Sequence, residues 1–518
     1  MPATRDGKTG ATSKISQVGC WSLGTLKVGQ HPRANFREVE RRGLREACGV
    51  IGCNGTGPVA EKILFGLIAL QHRGQESAGI AVGGRDCKLL CKKVLGLAGE
   101  GFTKEDLAQL EGTVGIGHVR YSTVGSSTLA EAQPCHLNGP RHGLALAYNG
   151  TLVNYLELRD LVLRQGKMLT SKSDAEILLH LLIDGINETG DVLGALGDAL
   201  HVVEGGYSAV LVTGDGSLLA FRDPFGFKPL CYGTVAGSFI SASESVAIDM
   251  CGGKLEGDIK PGEAVLVDGS KVVRKQFLPS PRRAHCMFEY VYFSRPDSII
   301  EGQSVYEVRM RLGMNLAKNF SHEADVIIPV PDTSRPASEG ASRISGIPTA
   351  EGLIKNRYIH RTFIMPKQSK REDAVKAKLN PLKSVLNGKR VMLIDDSIVR
   401  GTTLKNIVKM VRQAGARKVH VGITCPPIIS PCFYGVDMST HKELIAAGKD
   451  IDEICRQVGA DSLCYQTIDG LVDAIKISRD DLCMACITGD YPTPKAQQIA
   501  TRMKDIAAVS DYRYIEAV

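Results

Sequence analysis

The stretch "VMLIDDSIVRGTT", Val391 to Thr403, constrains the fold more than any other segment of the chain. Its apolar run, closed by two acids, reads as a strand buried on both faces. Such strands belong to parallel sheets covered by helices. The strand delivers Asp395 and Asp396 at its C-terminal end, the edge at which open parallel sheets bind ligands. Ser397, Gly401, Thr402 and Thr403 follow, and then a helical pattern, "TLKNIVKMVRQAGA", whose end Gly415 fits. Hydroxyls and N–H groups at a helix N-terminus make an anion site. Two adjacent carboxylates beside it call for sugar hydroxyls or a divalent cation. A phosphorylated sugar suits both seats, and an Asp-Asp turn that only caps a helix is the alternative. No GK[ST] follows, which argues against a P-loop ATPase.

The neighbouring segments extend this pattern. "ADVIIPVPDTSRP" and "RKVHVGITC" are further apolar strands, so residues 281–440 read as an α/β domain with a parallel sheet. A long basic stretch at about 365–390 has the character of a lid. Residues 441–518 read as a helical tail. The preceding region, 48–280, has a different rhythm. Strand candidates "GTVGIGHVRYS", "LALAYNGTL", "YSAVLVTG" and "GSFISAS" accompany two helical patterns, residues 59–72 and "SDAEILLHLLIDGI". Ser173 or Asp174 can cap the second. Many strands with few helices indicate an α+β layered domain.

With 518 residues, the chain is too long for one core. Its formal charge of +7 suits an anionic small substrate or a regulatory nucleotide and does not argue for nucleic acid. No apolar run reaches about 18 residues, so no transmembrane helix is expected. The 15 cysteines are scattered and odd in number, which suggests a reducing compartment and leaves room for a nucleophile and a metal site.

Residues 1–47 carry nine Lys/Arg and four Asp/Glu without a central apolar region, so a secretory signal is disfavoured. A propeptide is the plainer reading, with an organellar transit peptide as the alternative. The expected location is therefore cytoplasmic, or a plastid or other organelle on the second reading. Cys48 stands at the seam. It is either a buried thiol opening a core strand or a nucleophile freed by cleavage after Ala47.

"LIDDSIVRGTT" resembles the phosphoribosyl-pyrophosphate (PRPP) loop of type I phosphoribosyltransferases. The resemblance implies that Asp395 and Asp396 meet the ribose hydroxyls and Mg²⁺. It implies that Ser397, Gly401, Thr402 and Thr403 hold the 5′-phosphate. "VPDTSRPA" resembles the pyrophosphate loop of that family, with Asp332, Thr333 and Ser334 at the turn. Thr333, where Ser is commoner, is given a metal-linked role, and Arg335 stands where a small residue is common. In the basic stretch, Arg371 and Lys378 are candidates to meet pyrophosphate charge.

"CGVIGC", "QHRGQESAGIA", "GIGHVRYSTVG", "YNGTLVN" and "KSDAEIL" occur in that order. The set resembles the class II glutamine amidotransferases, N-terminal-nucleophile hydrolases, which implies a layered αββα fold. Arg120 can fork the glutamine α-carboxylate and Asp174 can take its ammonium, while Arg73 lies where the family adds a second positive group. Asn149 and the Gly150 N–H can form an oxyanion hole around the amide that Cys48 attacks. The base would be the freed α-amine of Cys48, whose pKa of about 8 lies closer to neutrality than lysine's roughly 10.4. His118 is read as a structural histidine.

The two halves in this order resemble the enzymes that make 5-phosphoribosylamine from PRPP and glutamine, the first committed step of purine synthesis. "EYVYFSRPDS" and "PCFYGVDM" also look characteristic of them. Membership implies PRPP-dependent glutamine hydrolysis, feedback inhibition by purine nucleotides and a homotetramer. One branch carries a [4Fe–4S] cluster where Cys286, Cys432, Cys483 and Cys486 fall here. Zinc suits four thiolates as well. Cys425 and Cys464 are set aside only by motif position.

Overall fold

The computed structural model describes residues 48–84, 88–121, 128–139, 143–279, 282–356, 379–438 and 440–507. The candidate lid residues Arg371 and Lys378 lie outside these, as does Ala47.

Two antiparallel sheets form the N-terminal half. The first has seven strands in the order Lys254–Asp258, Cys231–Val235, Ser238–Ala242, Gly49–Asn54, Val114–Arg120, Ser77–Gly83 and Leu90–Leu95. The second has six, in the order Lys271–Gln276, Glu263–Asp268, Ser217–Arg222, Gly205–Thr213, Gly143–Leu152 and Cys135–Asn138.

Alternation along each strand divides the core into three layers. Val50, Ile116, Ala145, Ala147, Val210 and Val212 fill the space between the sheets. Ile51, Ile80 and Val119 point the other way, against the helix Ala60–Ala69, which places Ile63 and Leu67 on its buried side. Leu144, Leu146 and Tyr148 meet the helices Asp174–Thr189 and Val192–Val202. Helix, sheet, sheet and helix follow in order, which is the expected αββα arrangement.

The C-terminal half carries a four-stranded sheet in the order Val326–Pro329, Arg390–Asp395, Lys418–Ile423 and Ser462–Tyr465, all parallel. The second strand is buried from Val391 to Ile394, as its unbroken apolar run requires. The helix Thr402–Gln413 presents Leu404, Ile407, Val408 and Val411 to the core, and Gly415, at φ +101, turns the chain after it.

The fourth strand differs from expectation. Ser462–Tyr465 lies in the segment read as a tail, yet it completes the sheet, so the sheet extends past residue 440. Its four residues are too short to show a strand period among flanking helical patterns. The rest of the tail is mainly helical, with Ile451–Val458, Ile468–Ile475 and Pro494–Ala507 as its longer helices.

Candidate active sites

The first site is built by strand parity. Cys48 directly precedes Gly49–Asn54 and shares the parity of Val50, which faces the inter-sheet space. On the neighbouring strand Val119 pairs with Gly49, and Arg120 shares the parity of Ile116. On the opposing sheet Asn149 continues the inward set of Ala145 and Ala147. Cys48, Arg120 and Asn149 therefore project into one space from facing sheets.

The supporting contacts are specific. Cys48 Sγ lies 3.6 Å from the Tyr121 carbonyl oxygen. Burial pushes the thiol above its ordinary value, and the Tyr121 contact and the charge of Arg120 offset part of that. Arg120 reaches Glu131 at 3.7 Å. Asp174 opens its helix and accepts the Leu152 N–H at 3.0 Å. Burial raises its carboxyl to about 6. Gly150 is pressed against the next strand, where a Cβ would come within 2.2 Å of the Gly206 carbonyl oxygen. Neither side-chain atom of Asn149 has a hydrogen-bond partner among the described residues, although the residue is buried.

Three further residues shape this site without having been singled out in sequence. Ser208 lies directly opposite Asn149, fully buried and with no partner for its hydroxyl among the described residues. Gln133 accepts the Tyr148 N–H at 2.8 Å and donates to the Tyr148 carbonyl at 3.3 Å, which fixes the backbone just before Asn149. Lys228 is fully buried, with its ammonium 3.3 Å from the Gly435 carbonyl oxygen and 5.7 Å from the Phe293 ring centre. Strand alternation could have found Ser208; the other two depend on long-range packing. His118 is buried with Nε2 3.1 Å from the Tyr148 carbonyl, and burial lowers its pKa to about 3, so it serves the core.

Arg73 is set apart from the other glutamine-binding candidates. Its guanidinium is fully buried and ion-paired with Glu244 and, at 2.6 Å, with Glu289. That is not the setting of a group presented to a substrate carboxylate.

The second site stands at the C-terminal edge of the parallel sheet. Two neighbouring strands deliver Asp332, Thr333 and Ser334 on one loop and Asp395, Asp396 and Ser397 on the other. Thr333 Oγ1 donates to Asp396 Oδ2, and Ser397 Oγ donates to Asp396 Oδ1 at 2.6 Å. The Asp396 N–H donates to Asp395 Oδ1 at 2.9 Å. Burial raises both carboxyls, and for Asp395 the adjacent Asp396 adds repulsion.

Gly401 turns at φ +76 where a Cβ would meet Ile445 at 2.3 Å, and Thr402 and Thr403 open the following helix, exposed. Beside this edge lies a cleft of about 740 Å³ lined by Asp332, Arg335, Glu351, Lys355 and Asn380. Lys355 Nζ holds Asp332 at 2.6 Å, and Arg335 bridges Asp332 and Glu351 at 3.2 and 3.0 Å.

The four candidate cluster cysteines belong to one neighbourhood. Cys286 and Cys483 are register partners in a short parallel bridge, and Cys432 Sγ accepts the Tyr434 N–H at 3.4 Å. Burial, chiefly, raises the thiols of Cys483 and Cys486, and Cys286 and Cys432 raise both further; at Cys486 Cys425 and Cys483 add to this. Among the described residues no group of three or more His, Cys, Asp or Glu side chains stands in a metal-holding array.

Both halves of the chain match known domain families. Residues 118–250 match the glutamine amidotransferase domain family, and residues 297–455 match the phosphoribosyl transferase domain family. The amidophosphoribosyltransferase of Methanothermobacter thermautotrophicus is 46% identical over 462 residues, which is 88% of this chain and 97% of that protein. Amidophosphoribosyltransferase 2, chloroplastic, of Arabidopsis thaliana is 42% identical over 463 residues, 89% of this chain and 82% of that one. The solved glutamine PRPP amidotransferase from B. subtilis, complexed with ADP and GMP, superposes with a TM-score of 0.81 at 40% identity, covering 86% of this chain and 98% of that one. Relatives aligned over almost their whole length, with both domains in the same order, establish that the chain belongs to the amidophosphoribosyltransferase family.

Proposed function

We propose that the chain makes 5-phosphoribosylamine from glutamine and PRPP, the first committed step of de novo purine biosynthesis, with the residues described above in the following roles. Cys48 Sγ attacks the glutamine amide carbon. Asn149 and the Gly150 N–H hold the resulting oxyanion, and the C–N bond breaks to release ammonia and a thioester. Water then frees glutamate. Arg120 and Asp174 hold the amino-acid end by opposite charges. The α-amine of Cys48, freed by cleavage after Ala47, serves as the base. Ammonia passes internally to the second site and displaces pyrophosphate from the ribose carbon.

At the second site Asp395 and Asp396 hold the ribose hydroxyls, while Ser397, Gly401, Thr402 and Thr403 hold the 5′-phosphate. Asp332, Thr333 and Ser334 face the pyrophosphate, with Arg371 and Lys378 closing from the lid. The donor set fits Mg²⁺, since two adjacent carboxyls with raised pKa values, Asp396 buried and Asp395 partly so, and the Thr333 hydroxyl call for a hard cation. That ion would neutralise pyrophosphate charge. Cys483 and Cys486 are buried, Cys286 and Cys432 are partly buried, and the latter two raise both of the former; four thiols so gathered suit a [4Fe–4S] cluster, with Cys286, Cys432, Cys483 and Cys486 as ligands in a structural role.

Purine nucleotides are proposed as feedback inhibitors, in line with the ADP and GMP of the B. subtilis complex. A homotetramer is proposed by family membership. No described helix is long and apolar enough to cross a membrane. The proposed location is the cytoplasm; the chloroplastic Arabidopsis relative makes a plastid the alternative.

One observation carries this reading: the expected nucleophile and oxyanion donor, on different sheets, face the same inter-sheet space, and the donor's amide is buried and unpartnered. The test is N-terminal sequencing of active protein together with phosphoribosylamine formation from PRPP with glutamine or with ammonia. A mature start other than Cys48 would remove the proposed base, and failure with both nitrogen donors would remove the reaction.

A further inference from the structure

The segment "PCFYGVDM" supplies more than the candidate ligand Cys432. Tyr434 and Gly435 belong to the C-terminal half, yet they pack against the strands that carry Asn149 and Gly150. The Tyr434 ring stacks on Phe227, with centres 4.0 Å apart and planes 14° from parallel. Tyr207 is the register partner of Gly150, and a Cβ on the adjacent Gly206 would lie 3.0 Å from the Tyr434 Cβ. A Cβ on Gly435 would lie 3.3 Å from both the Cα and the carbonyl carbon of Gly150. Gly435 takes φ +92, a conformation open to glycine. Gly150 is therefore clasped between Gly206 on its own sheet and Gly435 from far along the chain.

Lys228 fixes this contact. Its backbone is held first. The buried Asp223 carboxylate accepts the N–H groups of Phe225, Gly226 and Phe227 at 2.8, 2.8 and 3.0 Å, and Arg222 Nε donates to the Lys228 carbonyl at 2.6 Å. The fully buried side chain then runs alongside Gly435, where a Cβ would stand 3.1 Å from Lys228 Cε. Its ammonium donates to the Gly435 carbonyl at 3.3 Å, its one hydrogen bond among the described residues, and no described carboxylate pairs with it. A buried ammonium with no counter-ion costs stability that an apolar side chain of similar volume would not.

We propose that Lys228 is a positioning residue for the oxyanion hole: through the Gly435 carbonyl it holds Gly435 against Gly150 and so sets where the Gly150 N–H points. The proposal rests on the assignment of glutamine hydrolysis to Cys48. Lys228 touches no substrate in this scheme. An oxyanion donor is effective only when aimed at the place where charge develops. Looseness at Gly150 therefore slows formation of the tetrahedral adduct, while glutamine binding, held by Arg120 and Asp174, changes little. The glutamine site is in this way completed by a segment of the C-terminal half.

The test uses the processed full-length protein with Lys228→Met, Lys228→Arg, Gly435→Ala and the Lys228→Met/Gly435→Ala double. Three rates are compared: glutamine hydrolysis, ammonia-dependent phosphoribosylamine formation, and alkylation of Cys48 by iodoacetamide, read on the N-terminal peptide. In that alkylation the sulfur displaces iodide and no oxyanion forms. Lys228→Met and Gly435→Ala are expected to lower kcat for glutamine by about tenfold or more, with KM, alkylation and the ammonia-dependent rate within about threefold. Lys228→Arg, which keeps a charged donor, should recover most of the loss. The double variant should lose no more than about threefold beyond its worse parent, because both changes act on one contact. A kcat within twofold of the unmodified protein in either single variant would overturn the proposal. So would a parallel fall in alkylation, which would place the effect on the thiol, or in the ammonia-dependent rate, which would place it on the fold. Failure of the underlying assignment looks different, because the unmodified processed protein would then release no glutamate from glutamine.

Discussion

Asn149 and Ser208 face each other across two antiparallel strands, both buried, and neither side chain has a hydrogen-bond partner among the described residues. A buried polar group left unsatisfied costs about 1–3 kcal/mol, and an oxyanion arriving with substrate would give the Asn149 amide the acceptor it lacks. Asn149→Ala is expected to lower kcat for glutamine hydrolysis by about 10²–10³-fold, the usual effect of losing one oxyanion donor. The melting temperature should stay near that of the unmodified protein, since no internal hydrogen bond is lost. Steady-state kinetics with glutamine and with ammonia check this. An equal loss with both donors would mean that Asn149 supports the fold and not the oxyanion.

Asp174 gives the first site a pH signature. Burial holds its carboxyl at about 6 in the folded protein, above the ordinary 3.8. Its charged form is the one that can take the glutamine ammonium, so kcat/KM for glutamine should fall as pH drops through about 6. The sign for stability is opposite. A carboxyl with a raised folded pKa favours folding most below its ordinary pKa, and that contribution is lost as pH rises toward 6. Asp174→Asn should remove the pH 6 step from the kcat/KM profile and weaken glutamine binding at pH 8. A step that persists in the variant belongs to another group.

These two sites were legible in sequence to different depths. Cys48, Arg120 and Asn149 were drawn together by the resemblance of their ordered motifs to the class II amidotransferases, and strand parity, a local property, accounts for their sharing a face once the strands are placed. The Asp395–Asp396 loop was legible for a similar reason, since an apolar run followed by acids and hydroxyls reports both the sheet edge and the anion seat. Arg73 shows where this stops. Glu244 and Glu289 lie far along the chain from it, and no local pattern marks an ion pair of that span. The strand Ser462–Tyr465 was hidden because its pairing with Lys418–Ile423, and not its own composition, makes it a strand.

The cysteine neighbourhood separates two metal readings. Cys286 and Cys483 are held side by side by the short parallel bridge, and Cys425 lies near enough to raise Cys486. Protein purified without oxygen is expected to contain iron and acid-labile sulfide in equal amounts. Cys483→Ser and Cys286→Ser should lose both, while Cys425→Ser keeps them. Zinc without sulfide would point to the tetrahedral thiolate site instead. Equal loss in Cys425→Ser would reopen the choice of ligands.

The Asp395–Asp396 pair should make the phosphate loop a place where function costs stability. Burial raises both carboxyls, and the pair repels. Because the folded pKa values lie above the ordinary carboxylate range, their contribution favours folding at low pH and is lost as pH rises through the folded values. Without divalent cations, Asp395→Asn should therefore melt at or above the temperature of the unmodified protein at pH 8, and the difference should shrink toward pH 5. If Mg²⁺ takes the proposed place at the ionised pair in the folded state, it should raise the melting temperature of the unmodified protein in proportion to the logarithm of its concentration. It should leave Asp395→Asn/Asp396→Asn unmoved. The same double variant should lose ammonia-dependent phosphoribosylamine formation by about 10²-fold or more, as expected when the groups that orient the reacting sugar are neutralised. Thermal melts across pH with and without Mg²⁺ check the stability arm, and ammonia-dependent turnover checks the catalytic one. A double variant less stable than the unmodified protein at pH 8, with Mg²⁺ still raising its melting temperature, would show that the two acids serve the fold and that the cation binds elsewhere.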